Sequence, residues 1–116
     1  MTELTHLNCE PCHKGSSQLA DLEITELCEQ IPKWAVLEFD EIKRLQRVFK
    51  FEDFAKALRF TDRIGELAEA HDHHPTLLTE WGRVTVTWWT HQIGGLHHND
   101  FVMAAKTDQL YGSPAG

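Results

Sequence analysis

The chain has 116 residues, enough for one domain that buries about 65% of the surface of its unfolded chain without a disulfide or metal. Its 41% hydrophobic and 25% charged residues are typical of globular proteins, and its formal net charge of −7 weighs against direct binding to nucleic acids or anionic membranes. No segment resembles a signal peptide or a membrane-spanning helix, so we expect a cytoplasmic protein.

Residues 1–20 are predicted to form a flexible arm, because polar residues and the GSS segment at 15–17 interrupt any hydrophobic pattern. Three cysteines, an odd number, indicate reduced thiols. The arm contains Cys9, Cys12 and His13 in the order that c-type haem attachment uses, but no export signal accompanies it. Of the three interpretations of the arm, an unliganded surface segment is favoured, zinc binding comes second and haem attachment comes last.

The first predicted helix follows the arm. It has Thr25 as its N-cap and ends at about Ile31, before Pro32. The helical spacing is carried by four apolar residues, namely Ile24, Leu27, Cys28 and Ile31.

Alternating residues between 34 and 51 predict two antiparallel strands with a turn near 40–43. A helical stripe then predicts a long helix from 53 to about 72. The stripe consists of Phe54, Ala57, Leu58, Thr61, Ile64, Gly65 and Ala68. Pro75 disfavours helical backbone at His74, so the helix should end near His73.

A second strand pair is predicted at 77–81 and 84–90, turning at Gly82, with Val84, Val86 and Trp88 on the buried face. The glycines at 93–98 indicate a loop. A last helix follows, with Asp100 in its first turn and Phe101, Val102, Ala104 and Ala105 on its buried side. The predicted fold for residues 21–112 is therefore α+β, a single four-stranded antiparallel sheet with helices packed on one face in the order α-β-β-α-β-β-α.

Six of the eight histidines lie between His71 and His98. A metal site is the second interpretation of these histidines, because His73 and His74 should point in different directions and the cysteines are distant. Acid/base chemistry fits better, since imidazole exchanges protons near neutral pH. Glu69, one helical turn before His73, is a candidate to hold a ring nitrogen of His73 or to favour its charged form; the alternative is a solvent-facing carboxylate. His91 shares the parity of the wetter strand residues and should face away from the core.

The spacing of Glu69, His73-His74-Pro75, Trp81, His91 and Asp100 resembles the signature of the pterin-4a-carbinolamine dehydratase family. Residues 90–100, THQIGGLHHND, also resemble its Thr-His-x-x-Gly-Leu segment. At the position where the family often has Ser or Thr capping the last helix, this chain has His97, so that cap should be weaker or differently made.

The resemblance implies dehydration of 4a-hydroxytetrahydropterin to quinonoid dihydropterin, with no metal and no organic cofactor. It implies His73, His74 and His91 as catalytic residues, and Glu69, Asp72, Trp89, Thr90 and Asp100 as residues that line or border the pterin site. Our hypothesis is that His73 and His91 transfer protons while His74 mainly binds.

The resemblance also implies a homodimer or homotetramer and an aromatic amino-acid hydroxylase as the enzyme whose spent pterin is recycled. The alternative function is a protein-binding module, because some animal members of this family serve as dimerisation cofactors of a transcription factor. Retention of all three histidines favours the enzyme.

Overall fold

The computed structural model describes residues 4–6 and 19–112. Three α-helices occur in these ranges, α1 (Asp21–Cys28), α2 (Phe54–His71) and α3 (His98–Gly112), with four strands, β1 (Ala35–Phe39), β2 (Ile42–Lys50), β3 (Thr76–Glu80) and β4 (Arg83–Trp88). Single 3-10 turns lie at Leu4–His6 and His91–Ile93. The predicted order of elements is confirmed.

The strands form one antiparallel sheet in the order β1-β2-β4-β3. Leu45 of β2 lies opposite Trp88 of β4, and Phe49 lies opposite Val84. All four side chains are buried on the face that α2 and α3 cover. This α+β fold, with helices on one face of the sheet, is the one predicted.

Both hairpins turn where the sequence predicts. Asp40 and Glu41, between β1 and β2, have φ angles of 53° and 65°. Positive φ at both central residues matches the twist of the flanking strands, although non-glycine residues adopt it at a cost. Between β3 and β4 the turn uses Gly82, with φ 79°, which has no side chain to oppose that angle.

The prediction for the first helix was wrong in its start. The helix begins at Asp21, and Thr25 lies inside it, where its hydroxyl donates to the Asp21 carbonyl oxygen at 3.0 Å. Glu23 does what a cap residue would do, because its carboxylate accepts the Ala20 N–H at 3.3 Å. A threonine can make either bond, so its presence alone does not mark a helix start.

Residues 4–6, which fall within the predicted arm, pack against α3. Leu4 is buried in the core, and its N–H donates to the Gln30 side-chain oxygen. Lys106 of α3 donates to the Thr5 carbonyl oxygen at 2.8 Å. Cys9, Cys12 and His13 lie outside the described residues.

Helix α3 is buried over its first two turns more fully than an amphipathic helix would be. Every side chain from 99 to 105 is buried, including Asn99 and Asp100. A helix buried all round this stretch brings polar side chains into the interior, where they need partners. None of the helices in the described ranges combines the length and hydropathy that a bilayer crossing requires.

Candidate active site

The end of α2 determines where the paired histidines point. Asp53 caps its start by accepting the Lys56 N–H at 2.8 Å. Its last residue is His71, and Asp72 follows in the left-handed region with φ 49°. Asparagine and aspartate are the non-glycine residues that adopt this conformation most readily. The chain therefore leaves the helix axis before His73, as the position of Pro75 predicted.

His73 is buried and bonded to an aspartate of α3. Its Nε2 lies 2.7 Å from Asp100 Oδ1, and its ring stacks on Trp88 at 5.8 Å between centroids and an interplanar angle of 11°. Because a carboxylate only accepts, Nε2 carries the hydrogen and Nδ1 remains available for proton exchange. The ring plane and its tautomer are thus both fixed.

Asp100 is 0% exposed and connects three parts of the chain. Besides His73, it accepts the Thr90 hydroxyl at 2.7 Å and the His97 N–H at 2.9 Å, both on Oδ2. Three donors compensate for the loss of hydration of a buried carboxylate. Asp100 thereby links Thr90, the residue before His91, to the His73 ring through one hydrogen bond on each side of its carboxylate.

The predicted pairing of Glu69 with His73 was wrong. Glu69 Oε2 lies 2.5 Å from Nε2 of His74, and both side chains are more than half exposed. The prediction assumed continuous helix through position 73, whereas Asp72 turns the chain and gives His73 to Asp100. Glu69 also borders a shallow depression along α2, whose other lining residues are Asp62, Gly65, Glu66 and Ala70.

His91 begins the 3-10 turn that follows β4. The strand ends at Trp88, two residues earlier than predicted. Thr90 and Gly95 close the turn through N–H to carbonyl bonds of 2.9 and 3.4 Å. His91 is exposed, and its ring packs on Trp89 with centroids 3.9 Å apart. Trp89 follows the core-facing Trp88, so His91 lies away from the core as predicted.

Comparisons with known proteins identify the family of the chain. The family model described as pterin 4 alpha carbinolamine dehydratase matches residues 17–110. The chain belongs to the pterin-4-alpha-carbinolamine dehydratase family. Relatives bearing that name provisionally include one from Microcystis aeruginosa, 55% identical over 111 residues and 96% of each chain, and one from Nitrosococcus oceani, 56% identical over 110 residues, 95% of this chain and 97% of that one.

Two solved structures are also similar. A protein from Brucella melitensis titled transcriptional coactivator/pterin dehydratase has a TM-score of 0.74 at 32% identity, covering 83% of this chain and all of that one. A pterin dehydratase-like protein described as a RuBisCO assembly factor in the alpha-carboxysome has a TM-score of 0.57 at 25% identity, covering 68% and 92%. The fold therefore occurs in proteins to which different functions are ascribed.

One residue of the family signature lies apart from the others. Trp81 is 74% exposed in the turn before β4, whereas Thr90 and His91 follow the other end of that strand. The six residues of β4 span about 20 Å, so Trp81 is not part of the His73 cluster within this chain. The remaining sequence-predicted positions fall at the end of α2, at the end of β4 and at the start of α3.

His97 makes the cap of α3 that the sequence left open. Its Nδ1 accepts the Asn99 N–H at 3.0 Å, while the carboxylate of Asp100 accepts the N–H of His97. This is the reciprocal arrangement of a capping box with an imidazole in the place of a hydroxyl. In this dehydratase-family chain the same aspartate thus caps the helix and orients His73.

Two features of the site were not predicted from sequence. Trp88 was assigned to the core by alternation, but its stacking on His73 depends on the tertiary structure. Arg44, whose guanidinium lies on Trp89, was not considered. Within residues 4–6 and 19–112, no three histidine, cysteine, aspartate or glutamate side chains are grouped as a metal site would need.

Proposed function

We propose that this protein dehydrates 4a-hydroxytetrahydropterin to quinonoid dihydropterin and water. The C4a–O bond breaks with its electron pair going to the departing oxygen, which takes up a proton. N5 loses a proton, and the electrons of that bond form the C4a=N5 double bond. The reaction therefore needs one acid and one base but no oxidant or reductant.

The observation that carries the proposal is the hydrogen bond between His73 Nε2 and the buried carboxylate of Asp100. A carboxylate behind an imidazole fixes the tautomer and stabilises the imidazolium that forms when the outer nitrogen takes a proton. Nδ1 of His73 is the proton-transfer atom in this proposal. His91, one residue beyond Thr90, supplies the second proton-transfer group.

The other predicted site residues divide by exposure. Thr90 and Asp100 are 0% exposed, and their oxygen atoms bond to each other and to protein groups. We propose that they position His73 and do not touch the pterin. His74 and Glu69 are exposed and paired, so they are placed to bind the polar edge of a ligand. Asp72 is exposed and Trp89 half-buried, which suits contact with a flat heterocycle.

The substrate in this proposal is released by an aromatic amino-acid hydroxylase, and the dehydratase acts as a homodimer or homotetramer. The expected rate enhancement is moderate. General acid/base catalysis contributes about 10²–10⁴-fold, and positioning of the bound ligand adds to it. No metal ion or organic cofactor is required for the step as written.

The test is a stopped-flow assay in which a hydroxylase generates the 4a-hydroxy intermediate and its ultraviolet absorbance is followed. We expect addition of this protein to accelerate the decay, equally with and without a chelator. Turnover that a chelator removes would contradict the metal-free reaction. Absence of any acceleration would contradict the enzyme and favour a binding module.

A protein-binding module is the second candidate. It is motivated by the structural neighbours titled transcriptional coactivator and RuBisCO assembly factor. Helix α2 also exposes two large apolar side chains one turn apart, Phe54 and Leu58, each 44% exposed. If this exposed helix face serves only assembly, replacing both residues by serine should leave dehydration intact. Sedimentation velocity then reports whether assembly is lost.

A further inference from the structure

Arg44 packs against Trp89, and Trp89 packs against His91, so that the three side chains form a cluster at the edge of the candidate site. The Arg44 guanidinium carbon lies 4.6 Å from the Trp89 ring centroid, and the Trp89 and His91 ring centroids are 3.9 Å apart at an interplanar angle of 47°. Arg44 also lies 5.3 Å from the Phe39 ring. The cation therefore spans the space between the end of β1 and the residue after β4.

The register of the sheet explains why these side chains meet. Leu45 and Trp88 are opposite each other and fully buried beneath the helices. Side chains alternate along a strand, so Arg44 and Trp89, one step away from this pair in each strand, point to the sheet face that the helices do not cover. They are neighbours across β2 and β4, as cross-strand pairs are.

Two buried donors of this cluster have no hydrogen-bond acceptor in the described ranges. The indole nitrogen of Trp89 and Nε of Arg44 are buried, and neither has an acceptor among the described residues. His91 lies outside the sheet ladder, in the 3-10 turn His91–Ile93. The His91 ring packs against Trp89, and the Arg44 guanidinium lies over the indole.

Arg44 has no carboxylate partner in the part of the chain that the structure describes. By contrast, three other cations of the sheet are ion-paired: Lys43 with Asp21, Arg47 with Asp108 and Arg83 with Glu80. An arginine that stacks on aromatic rings without an ion pair is free to act through its planar face. Lysine has no such face, which makes the assignment testable.

We propose that Arg44 is a positioning residue for His91 and acts through Trp89. The inference rests on the proposed function for its effect on catalysis, because there His91 transfers a proton. The effect on the ring of His91 is independent of that function. Loss of the planar cation lets Trp89 turn, and His91 then samples orientations that are unproductive, which lowers kcat more than it changes KM.

The experiment compares Arg44→Met and Arg44→Lys with the wild-type protein. Arg44→Met keeps an apolar chain but no charge, and Arg44→Lys keeps the charge but not the plane. The control is Arg83→Gln, an exposed arginine on the same sheet face at the far end of β4. Two-dimensional NMR of the imidazole CH groups reports the ring-current shift that Trp89 imposes on His91, and stopped-flow kinetics report kcat and KM.

We expect Arg44→Met to move the His91 ring protons downfield, towards the shifts of a histidine with no aromatic neighbour, and to lower kcat by about 10-fold with KM changed less than about 2-fold. Arg44→Lys should be intermediate in both, and Arg83→Gln unchanged. Unaltered His91 shifts in Arg44→Met would overturn the proposal. If Arg44→Met does not fold, wild-type shifts in Arg44→Lys would overturn it.

The two proposals fail separately. If Arg44→Met moves the His91 resonances but neither it nor His91→Ala lowers kcat, the positioning role stands and the catalytic role of His91 is wrong. If His91→Ala lowers kcat while the Arg44 variants leave shifts and kcat at wild-type values, the catalytic role stands and Arg44 does not position His91.

Discussion

His73 and Asp100 are 27 residues apart in sequence, and their side chains are joined at 2.7 Å in the interior. The contact ties the end of α2 to the first turn of α3. Because Asp100 also accepts from Thr90 and His97, its carboxylate holds together the three chain segments from which the candidate site is built.

Asp100→Asn tests this arrangement. One of the three donors must then face the amide NH2, because an amide has only one acceptor oxygen. We expect kcat to fall about 100-fold and the free energy of unfolding to fall by about 1–3 kcal/mol. Stopped-flow kinetics and urea unfolding measure the two quantities. Asp62→Asn, an exposed replacement on α2, should change neither; wild-type kcat in Asp100→Asn would contradict the positioning role.

The two neighbouring histidines should respond differently to removal. His73→Ala deletes the buried, carboxylate-oriented ring and should lower kcat by about 10²–10⁴-fold. His74→Ala deletes an exposed ring paired with Glu69 and should mainly raise KM. Glu69→Gln serves as the matched partner variant and should resemble a mild His74→Ala. The assignment is wrong if His74→Ala abolishes turnover while His73→Ala does not.

The imidazole cap of α3 predicts a stability difference between two adjacent histidines. His97→Ala removes the acceptor of the Asn99 N–H and should cost about 1 kcal/mol in the free energy of unfolding, whereas His97→Ser restores an acceptor and should not. His98→Ala, one residue later, should be nearly neutral. Equal losses for His97→Ala and His97→Ser in urea titrations would show that the cap bond is unimportant.

His71 should make folding sensitive to acid. Burial, then the charge of Lys106 and the neighbouring His73, lower the pKa of His71 below its ordinary value of 6.5. The unfolded chain then binds the proton more readily than the folded protein. His71 therefore contributes stability that is present above the ordinary pKa of 6.5 and is lost as the pH falls through the lower pKa of the folded protein. His71→Gln should reduce the fall in unfolding free energy between about pH 7.5 and about pH 5.5. Lys106→Met should raise the pKa of His71 in an NMR titration; an unchanged value would refute the contribution of Lys106 and leave burial as the cause.

The β1–β2 turn offers a stabilising substitution. Glu41 adopts a φ of 65°, which glycine adopts without steric cost. After the entropy of glycine in the unfolded chain is subtracted, we expect Glu41→Gly to raise the free energy of unfolding by about 0.5 kcal/mol. Glu29→Gly is the control, because Glu29 has a φ of −62° and should lose stability. Destabilisation by both variants would show that the turn carries no strain.

The sequence determined the elements whose signals are local. The stripe of α2, the alternation of Val84, Val86 and Trp88, and the break before Pro75 depend only on neighbouring residues, and the structure agrees with each. Family membership could be predicted as well, because it depends on residue spacing, which folding does not change.

The tertiary structure decided which side chains are partners. Glu69 lies one helical turn before His73, so sequence spacing favoured that pair, but the left-handed Asp72 redirected His73 towards Asp100 and left Glu69 to His74. The same holds for Arg44 and Trp89, which are neighbours only through the register of β2 and β4. Local periodicity specifies the face on which a residue lies, whereas a hydrogen bond or ring contact depends on how separate elements are arranged in space.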